Sequence, residues 1–226
     1  MAYFLPPGVE FFPHPLKTDE DGLLAMGASI DADTLLLAYQ FGIFPWSNEG
    51  EPTFWYYTHP RCVLYPADVR VTKSMRPYLN GNRFRWSLDT AFPQVIRNCK
   101  QIKRSGQNGT WLYDRLEDTF LELHQLGLAH SVEVWEGEEL VGGLYGLALG
   151  NIFFGESMFA KVSNASKYGF IQLCRWLDKH GFTMVDCQQR TQHMLSMGAE
   201  TISKEAFMKR LRFNVFESTK LGPWTV

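Results

Sequence analysis

The spacing of apolar residues is strongly periodic over most of the chain and weakly periodic over its first sixty residues. Within that first part, DADTLLLAYQFG at residues 31–42 predicts a helix that begins with an aspartate cap. Residues 43–60 follow with three prolines and many aromatic side chains, which favour irregular structure. We therefore expect residues 1–60 to form a small N-terminal domain and residues 61–226 to form a second, larger one.

Helical and strand patterns alternate in the larger part. The predicted strands are residues 83–88, 130–136, 139–149, 152–159 and 182–187. The predicted helices are residues 91–102, 112–126, 164–181, 189–199 and 204–213. Ser87 or Asp89 is expected to cap the first of these helices, and Asn164 or Ser166 the third. The second helix has a predicted apolar face of Leu112, Leu116, Phe120, Leu123 and Leu126.

Turn signals indicate how these strands pair. The turns EGEE and GN are short enough to join the three strands between residues 130 and 159 into an antiparallel meander. A helix lies between the third of these strands and the strand at 182–187, which implies a parallel pair with a right-handed connection. The sequence therefore predicts an α+β fold with a mixed, mostly antiparallel sheet that contains one parallel β-α-β crossover.

The composition, with 45% hydrophobic and 20% charged residues, is typical of a globular protein. No run approaches the roughly 20 apolar residues that a membrane span needs, and the first residues lack the basic-then-apolar pattern of a secretory signal. Cys62, Cys99, Cys174 and Cys187 are far apart and have no nearby His at zinc-ligand spacing. We expect four reduced thiols, no bound metal, no membrane contact and a cytoplasmic location.

Charge is unevenly distributed, although the formal net charge is only −2. Residues 61–104 hold ten Lys and Arg against two acids, a local charge of +8, and the rest of the chain carries −10. Such a segregated basic segment is expected in a protein that binds a polyanion. The alternative is a solvated face balanced by the acidic part of the chain, and it stays open because the whole chain is slightly acidic.

A single carboxylate stands within the apolar run FFGESMF at residues 153–159. An unpaired buried carboxylate is costly, so Glu156 is expected to be neutralised, paired or bound to a ligand. An ion pair of Glu156 with Lys161 or Lys167 is the structural alternative. Strand alternation predicts two faces, namely Phe154, Glu156 and Met158 on one, and Phe153, Gly155, Ser157 and Phe159 on the other.

The parallel strand pair brings a second set of polar side chains toward Glu156. In such sheets ligands tend to bind beyond the carboxyl ends of the strands, and the triplet DCQ stands at the end of the last one. Asp186 and Gln188 point together if the strand runs that far. With Glu156 and Ser157 they would form the polar end of a pocket with apolar walls. The alternative for Asp186 is a cap of the turn before Thr191.

Other candidate groups have ordinary structural explanations. His130 and His193 are expected to be hydrogen-bonded structural histidines rather than bases. The neighbouring Asp186 should raise the pKa of Cys187, so this thiol is not a candidate nucleophile. Ser157 is not one either, because no histidine neighbour can be identified for it from the sequence.

Several long segments carry a family resemblance. They are GLLAMG (22–27), AYQFGIFPW (38–46), GTWL (109–112), LHQLGLAHSVEVW (123–135), LVGGLYG (140–146), FFGESMF (153–159), NASK (164–167) and DCQ (186–188). In this order, and over most of the chain, they resemble the signature segments of the bacterial leucyl/phenylalanyl-tRNA–protein transferases.

The resemblance implies a GNAT-type acyltransferase fold with a small N-terminal domain, and it implies no cofactor. Members of the family transfer Leu or Phe, and Met less well, from aminoacyl-tRNA to the α-amino group of an N-terminal Arg or Lys. This transfer marks the acceptor protein for degradation in the N-end rule pathway. The implied partners are Leu-tRNA, Phe-tRNA and such acceptor proteins, and a monomeric enzyme is expected.

The resemblance also implies roles for particular residues. Asp186 and Gln188 would lie at the reacting amine, where Asp186 would either orient Gln188 or hold the amine by hydrogen bonds. Glu156, beside Ser157, would contact the aminoacyl group or the cationic acceptor. The acyl pocket would include Leu144, Phe153, Met158 and Val185. Trp46 and Trp111 would lie near the terminal adenosine, where stacking is worth about 1–3 kcal/mol per base. The tRNA phosphates would meet Arg76, Arg83 and Arg85.

Three other functions remain open from the sequence. An acyl-CoA-dependent N-acetyltransferase would share the fold, but KVSNASK at residues 161–167 stands where its Gly-rich pyrophosphate loop would be. A non-catalytic RNA-binding module would use the basic segment but would not account for Glu156 or DCQ. A peptidoglycan-bridge aminoacyltransferase would have similar chemistry, but its long coiled-coil insertion has no counterpart in this sequence.

Overall fold

The computed structural model describes residues 2–48, 50–102 and 112–226. Its strands are β1 (Tyr3–Leu5), β2 (Leu23–Gly27), β3 (Phe44–Pro45), β4 (Phe54–Tyr56), β5 (Arg61–Leu64), β6 (Arg85–Leu88), β7 (Ala129–Glu136), β8 (Glu139–Leu149), β9 (Ile152–Ala160), β10 (Met184–Asp186) and β11 (Glu200–Ile202). Its α-helices are α1 (Ala32–Gln40), α2 (Arg76–Asn80), α3 (Phe92–Gln101), α4 (Asp114–Gln125), α5 (Ala165–Lys179), α6 (Gln192–Ser196) and α7 (Lys204–Asn214).

The first sixty residues contain a four-stranded sheet with the strand order β1-β2-β4-β3. β1 runs parallel to β2, and the other neighbours are antiparallel. Helix α1 begins with the predicted cap, because the Asp31 carboxylate accepts a 2.8 Å hydrogen bond from the Thr34 backbone N–H. The prediction of irregular structure at residues 43–60 is wrong for β3 and β4, because strands of two or three residues are too short to show periodicity.

Seven strands form the second sheet, in the order β11-β5-β10-β9-β8-β7-β6. β7, β8 and β9 make the predicted antiparallel meander. β10 pairs parallel to β9, with Val185 opposite Phe153, and helix α5 makes the crossover between them. The predicted α+β class, with a mixed and mostly antiparallel sheet, is therefore confirmed.

Two strands of this large sheet are missing from the sequence prediction. β5 lies between β10 and β11 and is antiparallel to both. Its four residues are all buried, so it lacks the alternation that marks a half-exposed strand. β11 has only three residues at the edge of the sheet. β5 matters for the site because it brings Arg61 and Cys62 next to the end of β10.

The two sides of the large sheet pack against different parts of the chain. The first cluster of buried apolar side chains includes residues of the N-terminal sheet, α1, α3, α4 and α7. The second cluster includes residues of α5, α6 and the C-terminal segment. Because the first cluster contains both Leu5 of β1 and Leu147 of β8, the N-terminal sheet is packed onto the large one. The division into two domains at residue 60 stays a prediction.

A β-bulge interrupts the pairing of β8 with β9. Tyr145 lies opposite Ser157, whereas the next residue, Gly146, lies opposite Gly155. Glu156 is therefore the extra residue of the bulge. A bulge re-aims the side chains beside it, and this one adjoins the cavity described below.

The bulge changes which side chains of β9 share a face. Phe154 and Phe159 both belong to the first cluster. Phe153 belongs to the second cluster, and Met158 packs against that cluster. The predicted alternation, which joined Phe154 to Met158 and Phe153 to Phe159, is wrong because the extra residue shifts the period by one position.

Three details of the helices also differ from the sequence prediction. Neither Ser87 nor Asp89 caps α3, since the Glu133 carboxylate of β7 accepts a backbone N–H at the start of this helix at 3.4 Å. Leu126 does not share the buried face of α4, because it follows the last helical residue and is 53% exposed. Asn164 directly precedes α5, but its side chain makes no capping hydrogen bond.

The C-terminal residues pack on the second cluster. The buried Trp224 ring stacks on Trp176 and on His130, with centroids 4.4 Å and 3.6 Å away. His130 is hydrogen-bonded through Nδ1 to Asp89 at 2.8 Å, as expected for a structural histidine. Of the helices in the described ranges, none has both the length and the apolar character that a bilayer crossing requires.

Candidate active site

A cavity of about 370 Å³ lies beside the carboxyl-terminal parts of β9 and β10. Its walls come from the N-terminal sheet, from the large sheet and from α5 and α6. The residues that line it are Phe44, Pro45, Trp46, Leu144, Tyr145, Phe153, Gly155, Glu156, Ser157, Met158, Phe170, Val185, Cys187, Gln188, Gln189, Thr191, His193 and Met194. The volume and the apolar lining with a few polar groups are typical of a small-molecule site.

Eight of the residues that the sequence predicts for the site line this cavity. The apolar members come from the three central strands and are Leu144, Phe153, Met158 and Val185. The polar members are Glu156, Ser157 and Gln188. Trp46 is 38% exposed and lies edge-on to Tyr56 at 5.7 Å. The fold thus brings together side chains from segments that are far apart in the sequence.

Glu156 is the carboxyl group of the cavity, and its pKa is raised. Its Oε1 accepts a 3.2 Å hydrogen bond from the side-chain amide of Gln188. No ion pair joins it to Lys161 or Lys167, both of which the structure describes. Burial raises the pKa of Glu156 to about 8, and the neighbouring Tyr39 hydroxyl offsets only part of this rise. The group therefore changes its protonation state near neutral pH.

Asp186 lies behind the cavity and has no exposed surface. Arg61 binds both of its oxygens, with Nε 2.7 Å from Oδ1 and Nη2 2.6 Å from Oδ2. The Arg61 guanidinium also lies 4.6–5.6 Å from the ring centroids of Phe44, Tyr57 and Phe207. Both carboxylate oxygens are thus bound inside the protein, and Asp186 is not among the residues that line the cavity.

Gln188 is held by hydrogen bonds of its own backbone. Its φ of +51° is in the left-handed region, which is uncommon for residues other than glycine. Its N–H donates to Asp186 Oδ1 at 3.0 Å. Its carbonyl accepts from Thr58 Oγ1 at 3.0 Å and from the Cys62 N–H at 3.2 Å. Since β10 ends at Asp186, the predicted strand alternation does not extend to Gln188, and the bent backbone aims its amide at Glu156.

Two further groups on the cavity differ from the sequence interpretation. The buried Nε2 of His193 has no hydrogen-bond partner in the described parts of the chain, so the predicted hydrogen-bonded role is wrong for this nitrogen. Burial lowers the pKa of His193, which favours the neutral imidazole. The pKa of Cys187 is raised as expected, but the main causes are the neighbouring Cys62 thiol and burial, and Asp186 contributes less.

The basic segment at residues 61–104 is partly neutralised by acids. Of its eight cations within the described ranges, four form ion pairs, namely Arg61, Arg83, Arg97 and Lys100. Arg83 pairs with Glu136 at 2.8 Å, and the Arg85 guanidinium lies 5.2 Å from the Trp135 ring. Arg85 begins β6, the edge strand, which is separated from β9 by β7 and β8. Arg76 begins α2, so all three predicted tRNA-binding arginines lie outside the cavity.

Sequence reasoning misses two residues at the polar end of the site. The sequence presents Arg61 only as one cation of the basic segment and Tyr39 only as part of the first helix. Long-range packing brings them to Asp186 and Glu156, and the periodicity of local segments does not record such contacts. Trp111, which is predicted near the terminal adenosine, lies outside the described residues. Within the described ranges, no three potential metal-ligating side chains cluster together.

A mixed sheet with one parallel crossover, and a pocket at the ends of the two crossover strands, is the architecture of a GNAT-type acyltransferase. The amino-acid sequence narrows this class further. The family model described as leucyl/phenylalanyl-tRNA protein transferase matches residues 63–212, and the model of that family's N-terminal domain matches residues 28–59. The chain belongs to the leucyl/phenylalanyl-tRNA protein transferase family.

Curated relatives match nearly the whole chain. A leucyl/phenylalanyl-tRNA–protein transferase from Flavobacterium johnsoniae is 50% identical over 202 residues, which are 89% of this chain and 95% of the relative. One from Christiangramia forsetii is 49% identical over 211 residues, or 92% and 99% of the two chains. The family resemblance predicted from the sequence is confirmed, and the protein is an aminoacyltransferase.

Similarity to solved structures is much weaker. A GCN5-related N-acetyltransferase from Kribbella flavida is 9% identical, with 74% of this chain and 60% of that chain covered and a TM-score of 0.39. An aminoglycoside acetyltransferase from an uncultured soil metagenomic sample is 12% identical, with 64% and 97% covered and a TM-score of 0.37. Structural similarity at this level does not indicate which substrates the protein binds.

Proposed function

We propose that this protein transfers Leu or Phe, and Met less well, from aminoacyl-tRNA to an N-terminal Arg or Lys, and that this marks the acceptor for degradation. The observation that carries the proposal is the 3.2 Å hydrogen bond between Gln188 and Glu156 at the polar end of an apolar cavity, in a chain of this family. We also propose that the enzyme acts as a cytoplasmic monomer in which residues 1–60 are a separate small domain.

The proposed reaction joins an activated ester to an amine. The neutral α-amine of the acceptor attacks the ester carbonyl carbon, a peptide bond forms, and the bond to the ribose oxygen of the tRNA breaks. One proton leaves the amine nitrogen and one proton reaches the ribose oxygen, so no net proton is consumed. The enzyme therefore needs mainly to align two substrates and to assist a proton transfer.

Glu156 is the best-placed proton acceptor for this step. It lines the cavity, so a substrate can reach it. An α-amino group has an ordinary pKa of about 7.7–8.0, and the raised pKa of Glu156, about 8, is close to that value. Transfer between groups of matched pKa is easy, and a base with a pKa near the working pH is available in its basic form. The Gln188 amide would keep the Glu156 carboxylate oriented while that carboxylate accepts the proton.

Asp186 acts by positioning in this proposal and does not contact the substrate. Its carboxylate is fully buried, and it binds the Gln188 N–H at 3.0 Å. Gln188 in turn holds the carboxyl group of Glu156. These contacts support the first of the two roles expected for Asp186, the orientation of Gln188, over direct binding of the amine.

The apolar wall supports selectivity for Leu and Phe. Leu144 lies opposite Met158 on adjacent strands, and Phe153 lies opposite Val185. Burial of a branched or aromatic acyl side chain there would gain about 1.5–3 kcal/mol. A charged acyl side chain would instead lose its hydration without gaining a partner. Trp46 is exposed enough to stack on the terminal adenine.

The body of the tRNA would meet the arginines outside the cavity. Arg76 and Arg85 form no ion pair in the described part of the chain, whereas Arg83 would have to exchange Glu136 for a phosphate. Binding that depends on such contacts weakens steeply as salt rises, because phosphate neutralisation releases counterions.

A transfer assay with purified protein and charged tRNA tests the proposal. Leu-tRNA, Phe-tRNA and Met-tRNA are each offered with peptides that begin with Arg, Lys or Ala and are otherwise identical. We expect strong Leu and Phe transfer to the Arg and Lys peptides, weaker Met transfer, and none to the Ala peptide. Equal transfer to the Ala peptide would refute the acceptor assignment. Acetyl transfer from acetyl-CoA without aminoacyl transfer would favour the N-acetyltransferase alternative.

A further inference from the structure

Two thiols face each other beside the loop that positions Gln188. Cys62 lies on β5, and Cys187 directly follows β10. The Cys187 N–H donates to the Cys62 carbonyl at 2.9 Å, and the Cys62 N–H donates to the Gln188 carbonyl. Cys62 belongs to the second cluster and Cys187 packs against it, so both side chains point to the same side of the sheet. The two thiols are close enough for each to shift the pKa of the other.

This arrangement is compatible with a disulfide. Residues opposite each other on antiparallel strands have Cα atoms about 4.5–5.5 Å apart, and disulfides join Cα atoms about 4.4–6.8 Å apart. All four cysteines carry thiols in the structure. Cys99 belongs to the first cluster, on the other side of the sheet. Cys174, on α5, belongs to the same cluster as Cys62, but its backbone is not hydrogen-bonded to the end of β10 as that of Cys62 is.

The pair is also accessible to a small oxidant. Cys187 lines the cavity, whereas Cys62 is fully buried behind it. The neighbouring Cys187 thiol lowers the pKa of Cys62, which favours the reactive thiolate form of Cys62. The mechanism proposed above uses neither thiol.

We propose that Cys62 and Cys187 form a reversible disulfide when the protein meets hydrogen peroxide, and that this modification inactivates the site. One thiol of the pair reacts with the peroxide to give a sulfenic acid and one water. The other thiol then attacks the sulfenic sulfur, the S–S bond forms, and a second water leaves. The two thiols together lose two electrons and two protons, and one peroxide becomes two waters. A reduced dithiol reverses the reaction by thiol–disulfide exchange.

The disulfide would disturb the proposed active site because Cys187 stands between Asp186 and Gln188. The two sulfur atoms must approach to about 2.0 Å to form the bond, and the backbone that carries Gln188 moves with them. A displacement of about 1 Å in a positioning group can cost on the order of 100-fold in rate. This consequence rests on the proposed function, whereas the disulfide itself does not.

A peptide map tests the disulfide without any activity measurement. Trypsin separates the four cysteines into peptides 62–70, 98–100, 168–175 and 180–190. After peroxide treatment and alkylation without reductant, we expect one cross-linked species that joins 62–70 to 180–190, with the other two peptides alkylated. A cross-link from 180–190 to 168–175 overturns the proposal. Four alkylated thiols, or oxidation of Cys187 to the sulfinic acid without a cross-link, also overturn it.

Transfer assays then test the consequence. Peroxide should lower the wild-type rate by about 10- to 100-fold, and dithiothreitol should restore it. Cys62→Ala and the more conservative Cys62→Ser should keep the basal rate and resist peroxide, because Cys62 does not line the cavity. Cys99→Ala is the matched control and should remain sensitive.

Equal peroxide sensitivity of the wild type and both Cys62 variants refutes the switch. So does a cross-linked wild type that keeps its full rate. Absence of aminoacyl transfer in the untreated protein is a different result, because it refutes the proposed function and leaves the peptide map to decide the disulfide.

Discussion

Arg61→Met should cause a large loss of stability, because it leaves the Asp186 carboxylate buried without its charge partner. Neither side chain has any exposed surface, and hydrogen bonds of 2.6 Å and 2.7 Å join them. Of the three hydrogen bonds to the carboxylate, the substitution leaves one, from the Gln188 N–H. The Phe44 and Phe207 rings around the guanidinium have no hydrogen-bond donor, and the Tyr57 hydroxyl already donates to the Lys204 carbonyl at 3.1 Å.

The expected magnitude follows from the burial of the pair. Removal of one partner from a buried ion pair costs about 3–5 kcal/mol. The double variant Arg61→Met/Asp186→Leu also removes the stranded charge, and its main remaining cost is the unpaired Gln188 N–H, about 1–3 kcal/mol. The double variant should therefore be more stable than Arg61→Met alone, although it carries more substitutions.

Urea unfolding followed by tryptophan fluorescence measures both effects. With a slope of about 2–3 kcal/mol per M for a chain of this size, the midpoint of Arg61→Met should fall by about 1–2 M. Arg83→Met is the matched control, because it breaks a 2.8 Å ion pair with Glu136 whose side chains are 48% and 37% exposed. Loss of an exposed pair should cost less than about 1 kcal/mol.

Two results would refute this reasoning. If Arg61→Met is as stable as Arg83→Met, the buried pair does not support the fold. If the loss in the double variant equals the sum of the losses for Arg61→Met and Asp186→Leu, the two residues are not energetically coupled. Where Arg61→Met remains folded, the fold decrease in kcat should exceed the fold increase in KM for the acceptor. The reason is that Asp186, which binds the Gln188 N–H, is no longer held by Arg61, whereas the cavity walls stay in place.

Other substitutions test the cavity and its surroundings. The raised pKa of Glu156, about 8, means that the folded protein keeps a proton that the unfolded chain releases, so the stability from this proton is lost as pH rises through about 8. Urea midpoints should therefore fall as pH rises from about 5 to about 8 and level off above that value; Glu156→Gln should reduce this fall, whereas the exposed control Glu139→Gln should show the full wild-type fall. Leu144→Trp should narrow the cavity and raise the ratio of Leu to Phe transfer, and an unchanged ratio would place acyl selectivity elsewhere. Arg85→Glu should raise the KM for charged tRNA and reduce its salt dependence, whereas an unchanged KM would exclude β6 from the tRNA path.

Much of the fold can be predicted from local patterns. The meander β7-β8-β9, the crossover helix α5 and the cap at Asp31 each depend on residues that are close in the sequence. Periodicity and turn chemistry report such short-range structure directly. The family resemblance assigned Leu144, Phe153 and Val185 to one pocket, and these residues lie on strands whose pairing the turns and the crossover predict.

The site is harder to predict where it departs from regular structure. The bulge that makes Glu156 an extra residue leaves no mark in the composition, so strand alternation assigns the wrong faces beyond it. Strand alternation also fails for the DCQ triplet, because β10 ends at Asp186 and the backbone of Gln188 is left-handed. Both irregularities are stabilised by hydrogen bonds to other strands, which a local pattern does not contain.

The sequence by itself determined the family, the strand order of the meander, and the expectation that Glu156 and Gln188 would meet at an apolar pocket. Only the tertiary structure decided that Asp186 is bound by Arg61, 125 residues away in the chain, and does not line the cavity. The physical reason is that periodicity records which way a side chain points, whereas its partner depends on which distant strand the folded chain brings alongside.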